Sequence, residues 1–179
     1  WDTLLPKLNV TADFTIKGKE TADFIHRKTT SEDIYFFYNE DDAPKVFECS
    51  FNVNGKIPEL WNPMTGEITK LAQFSSKNGK TQVPIFLENQ ESTFVIFRES
   101  VKELPVVEVK PSKNIEYFFD ANDKIKAEVK ANGNYQTTLS NGKNIAIKVD
   151  DIPSPKTLEG SWEVEFKKEN GYEGTHTFS

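Results

Sequence analysis

Apolar and polar residues alternate with a period of two over long stretches of the 179-residue chain, as expected of strands that bury one face. Phe47, Cys49, Phe51 and Val53 alternate with Glu48, Ser50 and Asn52. Further along, Ile125, Ala127, Val129 and Ala131 alternate with Lys126, Glu128 and Lys130, and the pattern resumes at Tyr135, Thr137 and Leu139 and at Ile145, Ile147 and Val149. These last segments, punctuated by Asn132-Gly133 and Asn141-Gly142, predict a three-stranded meander with one wet face. Asn-Gly recurs at Asn54-Gly55, Asn78-Gly79 and Asn170-Gly171, and suits two-residue hairpin turns because both residues tolerate positive φ. The first of these joins the 47–53 strand to Ile57–Trp61 and predicts a hairpin there. Ile34–Tyr38 is an unbroken apolar run, which predicts a central strand covered on both faces. Val83–Leu87 and Phe94–Phe97 supply two more strands, the former confined by Pro84 to an edge, a bulge or a strand start.

Helix is scarce: residues 1–8 invite one short turn, and Pro6 interrupts it. Residues 100–114 and 150–155 read as connectors, the second stiffened by Pro153 and Pro155. The expected fold is all-β, a hairpin-rich, jelly-roll-like antiparallel β-sandwich with a short partial second β unit.

Composition sharpens this picture. Fourteen Phe against one Met mean that the core is built of rings, a palette that favours strands. A net charge of −6 with interspersed signs argues against a general nucleic-acid or anionic-membrane binder. Apolar residues nowhere run for the roughly 18 that a membrane helix needs, so membrane insertion is not expected. One Cys and two His cannot close a structural zinc site of about four ligands; no metal and no cofactor is expected.

Candidate chemistry is sparse. His26 and Arg27, at the end of a predicted strand, can hold a sugar hydroxyl or a carboxylate through the Arg fork; equally, Arg27 can pair with Asp23 or Asp33 and pin a loop. Cys49 shares its face with Phe47 and Phe51, which places the thiol in the core and makes it inert. Glu40-Asp41-Asp42 reads as a solvated loop, and Asp120–Asp123 as a turn. Trp61, within Leu60-Trp61-Asn62-Pro63-Met64-Thr65-Gly66, is either a platform for a sugar ring or the cover of a tight turn; Trp162 and Tyr172 are further aromatic candidates.

Three segments in order, Asp23-Phe24-Ile25-His26-Arg27-Lys28-Thr29, Asp33-Ile34-Tyr35-Phe36-Phe37-Tyr38-Asn39 and Pro58–Glu67, resemble the β region that follows the catalytic barrel in the large α-L-rhamnosidases of glycoside hydrolase family 106. Phe94–Arg98 resembles the strand closing that region, and Leu158–Phe166 resembles the lead into a following sugar-binding-like sandwich. Asn62 departs from the pattern, where Asp is expected.

The resemblance implies a fragment of an exported bacterial enzyme, secreted, periplasmic or on the cell surface, that acts on plant polysaccharides or glycosides. Residues 1–20 would lead in from a catalytic domain, 21–104 form a β-sandwich, 105–160 a β-meander extension, and 161–179 begin an incomplete sugar-binding-like sandwich. The family's catalytic acids belong to its barrel, so no catalytic residue is carried over; the residues that would face substrate are His26, Arg27 and Trp61. Partners would be the barrel and the sugar-binding domain of the same parent chain, and carbohydrate. The rival readings are an independent carbohydrate-binding module and a structural spacer of a surface protein.

Overall fold

The structure is a computed structural model that describes residues 6–8, 11–18 and 22–178. A short 3₁₀ turn at Pro6–Leu8 is all that is described of the predicted N-terminal turn; residues 1–5 lie outside the described residues. The rest is strand: β1 (Phe14–Ile16), β2 (Phe24–Lys28), β3 (Asp33–Tyr38), β4 (Lys45–Phe51), β5 (Lys56–Trp61), β6 (Ile68–Leu71), β7 (Ser75–Lys77) and β8 (Lys80–Leu87). There follow β9 (Ser92–Ser100), β10 (Val106–Lys110), β11 (Ile115–Phe119), β12 (Ile125–Val129), β13 (Gly133–Leu139), β14 (Asn144–Val149), β15 (Trp162–Phe166) and β16 (Gly174–Phe178).

A seven-stranded sheet, β12-β11-β6-β5-β9-β3-β2, is the spine of the molecule, and every paired strand in it is antiparallel. A four-stranded sheet, β1-β4-β8-β7, packs on one of its faces. The interface is aromatic: Phe51 lies 4.8 Å from Tyr35 and 5.1 Å from Phe97, and Phe47 lies 6.0 Å from Phe37, ring centre to ring centre. Tyr35, Phe37, Phe51 and Phe97 are fully buried, as the period-two pattern requires.

Register partners share a face of a sheet. His26, Tyr35, Val95, Leu60 and Thr69 are successive partners across β2, β3, β9, β5 and β6, and make the face turned to the four-stranded sheet. Glu59, Lys70 and Phe119 are partners on the opposite face. There the second small sheet, β10-β13-β14, packs over the β11 end, where the Tyr117 and Thr137 hydroxyls are hydrogen-bonded. The spine is thus covered on one face at one end and on the other face at the other end. Ala72–Phe74 makes the changeover, hydrogen-bonding to both Tyr117 and Val106.

Several local expectations are corrected. β12 pairs with β11 and not with β13, so the predicted meander is split between two sheets, and Asn132-Gly133 is a crossing rather than a hairpin turn. Likewise Asn54-Gly55 carries the chain from β4 in one layer to β5 in the other, because Phe51 and Ile57 must both face the core between the sheets. Of the Asn-Gly pairs, Asn78-Gly79 closes a two-residue hairpin, with φ of 52° and 77°. The predicted connector at 100–114 contains β10, whose Val106 and Val109 are buried. Finally, β3 is next to the edge and alternates buried with half-buried positions, so Ile34, Phe36 and Tyr38 lack the second cover expected of them. Pro84 is tolerated because β7 ends opposite Gln82, which leaves the far side of β8 unpaired at residue 84.

Candidate functional site

Strand alternation separates the two residues read as a pair. In β2, His26 points to the inner face, while Arg27, the partner of Ile34, lies on the outer one. The His26 ring stacks on Tyr35 with centres 4.0 Å apart and planes 3° from parallel. Its Nδ1 is paired with the Asp13 carboxylate, and its Nε2 lies 3.4 Å from Asp33 Oδ1. Asp33 is 3% exposed and is flanked by the ammonium groups of Lys28 at 3.1 Å and Lys56 at 3.3 Å. Lys56 also donates to the carbonyls of Ser31 at 2.8 Å and Phe97 at 3.4 Å.

Burial alone would raise the Asp33 carboxyl, but the hydrogen bonds and charges of Lys28 and Lys56 outweigh it and hold the group below the ordinary carboxylate value. The Tyr35 phenol is pushed well up, first by burial and then by the charges of Asp13 and Asp33. This cluster ties the approach to β1 to β2, β3 and β5, and the His26 ring is enclosed by it. It pins these strands together through ion pairs and a stacked ring.

Trp61 stands on the outer face at the end of β5. Its Nε1 donates to Glu59 Oε2 at 3.0 Å, and Arg98 Nε donates to both Glu59 oxygens at 3.0 and 3.1 Å. The guanidinium carbon of Arg98 lies 5.1 Å from the Trp61 ring centre, a cation–π contact that occupies part of the indole face. Glu59 is completely buried under these two groups, and its carboxylate raises the pKa of Arg98 chiefly through their hydrogen bond. The turn that follows is fixed by Asn62, whose Oδ1 accepts from the amides of Met64 and Thr65. Trp61 therefore acts as cover for a buried ion pair. Glu59 is not marked by residue type; the signal that could have found it is its place between Pro58 and Leu60 inside a strand, where a buried acid needs a partner such as Arg98.

Arg27 is exposed and takes neither Asp23 nor Asp33 as its partner in any ion pair of the described residues; Lys28 and Lys56 fill that place on Asp33. With Ile25, Ile34, Phe36 and Phe94 it lines a shallow apolar groove of about 280 Å³. Arg27 and Trp61 thus share the outer face, three strands apart, and His26 lies behind them. Cys49 is buried, and burial first, then the charge of Glu48, pushes its thiol far above the ordinary value, in keeping with an inert core residue. Trp162 and Tyr172 are both about half exposed on the β15–β16 hairpin.

Comparison with known proteins converges on one class of enzyme. Residues 1–76 match the family described as alpha-L-rhamnosidase. A protein of Formosa agariphila named "Putative beta-glucuronidase" is 33% identical over 149 residues, which is 69% of this chain and 13% of the relative. A rhamnosidase structure from a Novosphingobium species superposes over 99% of this chain and 13% of its own, with a TM-score of 0.63 and 25% identity. The chain therefore spans about one eighth of the length of both these relatives. With the split aromatic sandwich and the matched N-terminal segment together, the chain is similar to one region of the rhamnosidase-like glycoside hydrolases.

Proposed function

We propose that this region is a non-catalytic accessory β unit of a large exported glycoside hydrolase, one that acts on deoxysugar-bearing plant glycans and is held in register with its catalytic barrel by this unit. The supporting observation is that two of the three candidate side chains, His26 through Nδ1 and Trp61 through Nε1, are already engaged within the fold, while Arg27 lines an apolar groove. Glu59 is used by Arg98 and Trp61, and His26 by Asp13 and Tyr35. Freeing them for a ligand would leave a buried carboxylate and imidazole uncompensated, at a cost of several kcal/mol. Localisation outside the cytoplasm and a parent substrate rich in rhamnose follow from the family likeness and form part of the same proposal.

A second reading, an independent carbohydrate-binding module, is favoured by the exposure of Trp162 and Tyr172 on one hairpin. Calorimetric titration of the chain with rhamnose-containing and rhamnose-free glycans separates the two, with Trp61→Ala and Trp162→Ala as controls. The accessory reading expects no saturable heat and no release of aryl rhamnoside. Saturable binding abolished by either substitution would establish the binding module instead.

A further inference from the structure

Register places Ile25, Phe36, Phe94, Trp61 and Ile68 side by side across five neighbouring strands, β2, β3, β9, β5 and β6. Four inter-strand spacings make this belt about 19 Å wide. Its members lie on the outer face, where neither small sheet packs against the β2 end. Ile25 is 59% and Ile68 47% exposed, Phe36, Phe94 and Trp61 are half-buried, and the Phe36 and Phe94 rings are 5.0 Å apart. A contiguous apolar strip on a sheet face otherwise built for burial marks a contact surface. The next row carries Arg27, Ile34, Ile96, Glu59 and Lys70. In that row Glu59 is satisfied by Arg98, and Lys70 by Glu99 at 2.7 Å and Asp123 at 3.5 Å. Arg27 is exposed at the belt's end and takes part in no ion pair among the described residues.

We infer that this belt is the docking face for another part of the same longer polypeptide: an apolar ridge that fills the groove among Ile25, Ile34, Phe36 and Phe94 and sets a carboxylate against Arg27. The inference rests on the accessory reading above and gives it a surface. Two observations choose this occupant over a glycan or a second copy. Four of the five belt strands, β2, β3, β5 and β6, lie within residues 1–76, the segment that matches the alpha-L-rhamnosidase family, and both relatives carry some seven-eighths of their length outside the matched part. The groove is also almost wholly apolar apart from one guanidinium, which suits a packed side-chain ridge with an acidic flank better than a hydroxyl-rich sugar.

The test uses the full-length polypeptide with a photoreactive benzophenone amino acid at position 25, irradiated at low micromolar concentration and mapped by mass spectrometry. The expected adduct is intramolecular, to residues outside 1–179, and Arg27→Glu lowers its yield at least fivefold while leaving the circular dichroism melt unchanged. An adduct to a second copy, adducts confined to residues 1–179, or no adduct at all overturns the docking face. An unchanged yield in Arg27→Glu overturns the acidic flank. None of these outcomes depends on glycan binding, so failure of the docking face and failure of the accessory reading are read separately.

Discussion

Asp33 shows how a single side chain in this fold acquires properties that its identity does not confer. As the first residue of β3 it would be an ordinary strand-end acid, yet the register sets it beside Phe97 under the four-stranded sheet, with Lys28 and Lys56 converging on it. Its pKa is lower folded than unfolded, so the folded chain binds this proton less readily. The stability it lends is complete above the unfolded value of about 3.9 and is lost as the pH falls below that value through the lower folded one. Urea unfolding at pH 5 and pH 3 should therefore show a larger loss of stability for the wild type than for Asp33→Asn, which has no carboxyl to titrate there. Equal losses would dismiss the role of the lysines. His26 and Trp61 teach the same lesson: the residue types suggest ligand chemistry, whereas the fold sets Asp13 and Tyr35 against the one and Glu59 and Arg98 against the other.

At the level of elements, one dipeptide serves different ends. Asn78-Gly79 turns a hairpin between β7 and β8 in the left-handed region, with Gly79 at φ 77°. Gly133, in the same Asn-Gly context, opens β13 without a positive φ, and a Cβ there would meet the Tyr135 ring at 3.5 Å, an ordinary contact. Gly79→Ala should cost about 1 kcal/mol, whereas Gly133→Ala should be neutral or stabilise by up to about 0.5 kcal/mol, in denaturant titrations. Strand positions were legible because period-two burial is a local property, as Phe47, Cys49 and Phe51 show. Strand partners were not, because β4 to β5 and β12 to β13 cross between sheets, and a short Asn-Gly link fits a crossing as readily as a hairpin. Residues 106–110 were not legible as a strand because three valines interrupted by Glu108 and closed by Lys110 give too short a pattern to distinguish a strand from a connector.

Across the whole molecule, buried residues from Phe14 to Tyr135 form one continuous hydrophobic cluster that links both small sheets through the spine. The β15–β16 hairpin belongs to none of these sheets, pairs only with itself, and leaves Trp162, Tyr172 and Phe178 about half exposed. Because an isolated two-stranded ribbon is marginal in water, its amides should exchange with deuterium orders of magnitude faster than those of β9, which is paired on both sides. Comparable protection would mean that the hairpin is packed and not free. Alternation, composition and motif order are written along the chain, and from them it is legible that the chain is all-β, that its core is aromatic, that Cys49 is interior, and that the Asp23–Thr29, Asp33–Asn39 and Pro58–Glu67 series resembles the rhamnosidases. Tertiary structure alone decided which face each small sheet covers, which carboxylate is buried with which cation, and that Ile25, Phe36, Phe94, Trp61 and Ile68 form one belt. Those outcomes depend on strand order and register between residues as far apart as Asp33 and Phe97, and pairing at that distance is fixed by the packing free energy of the whole sandwich, which no local pattern encodes.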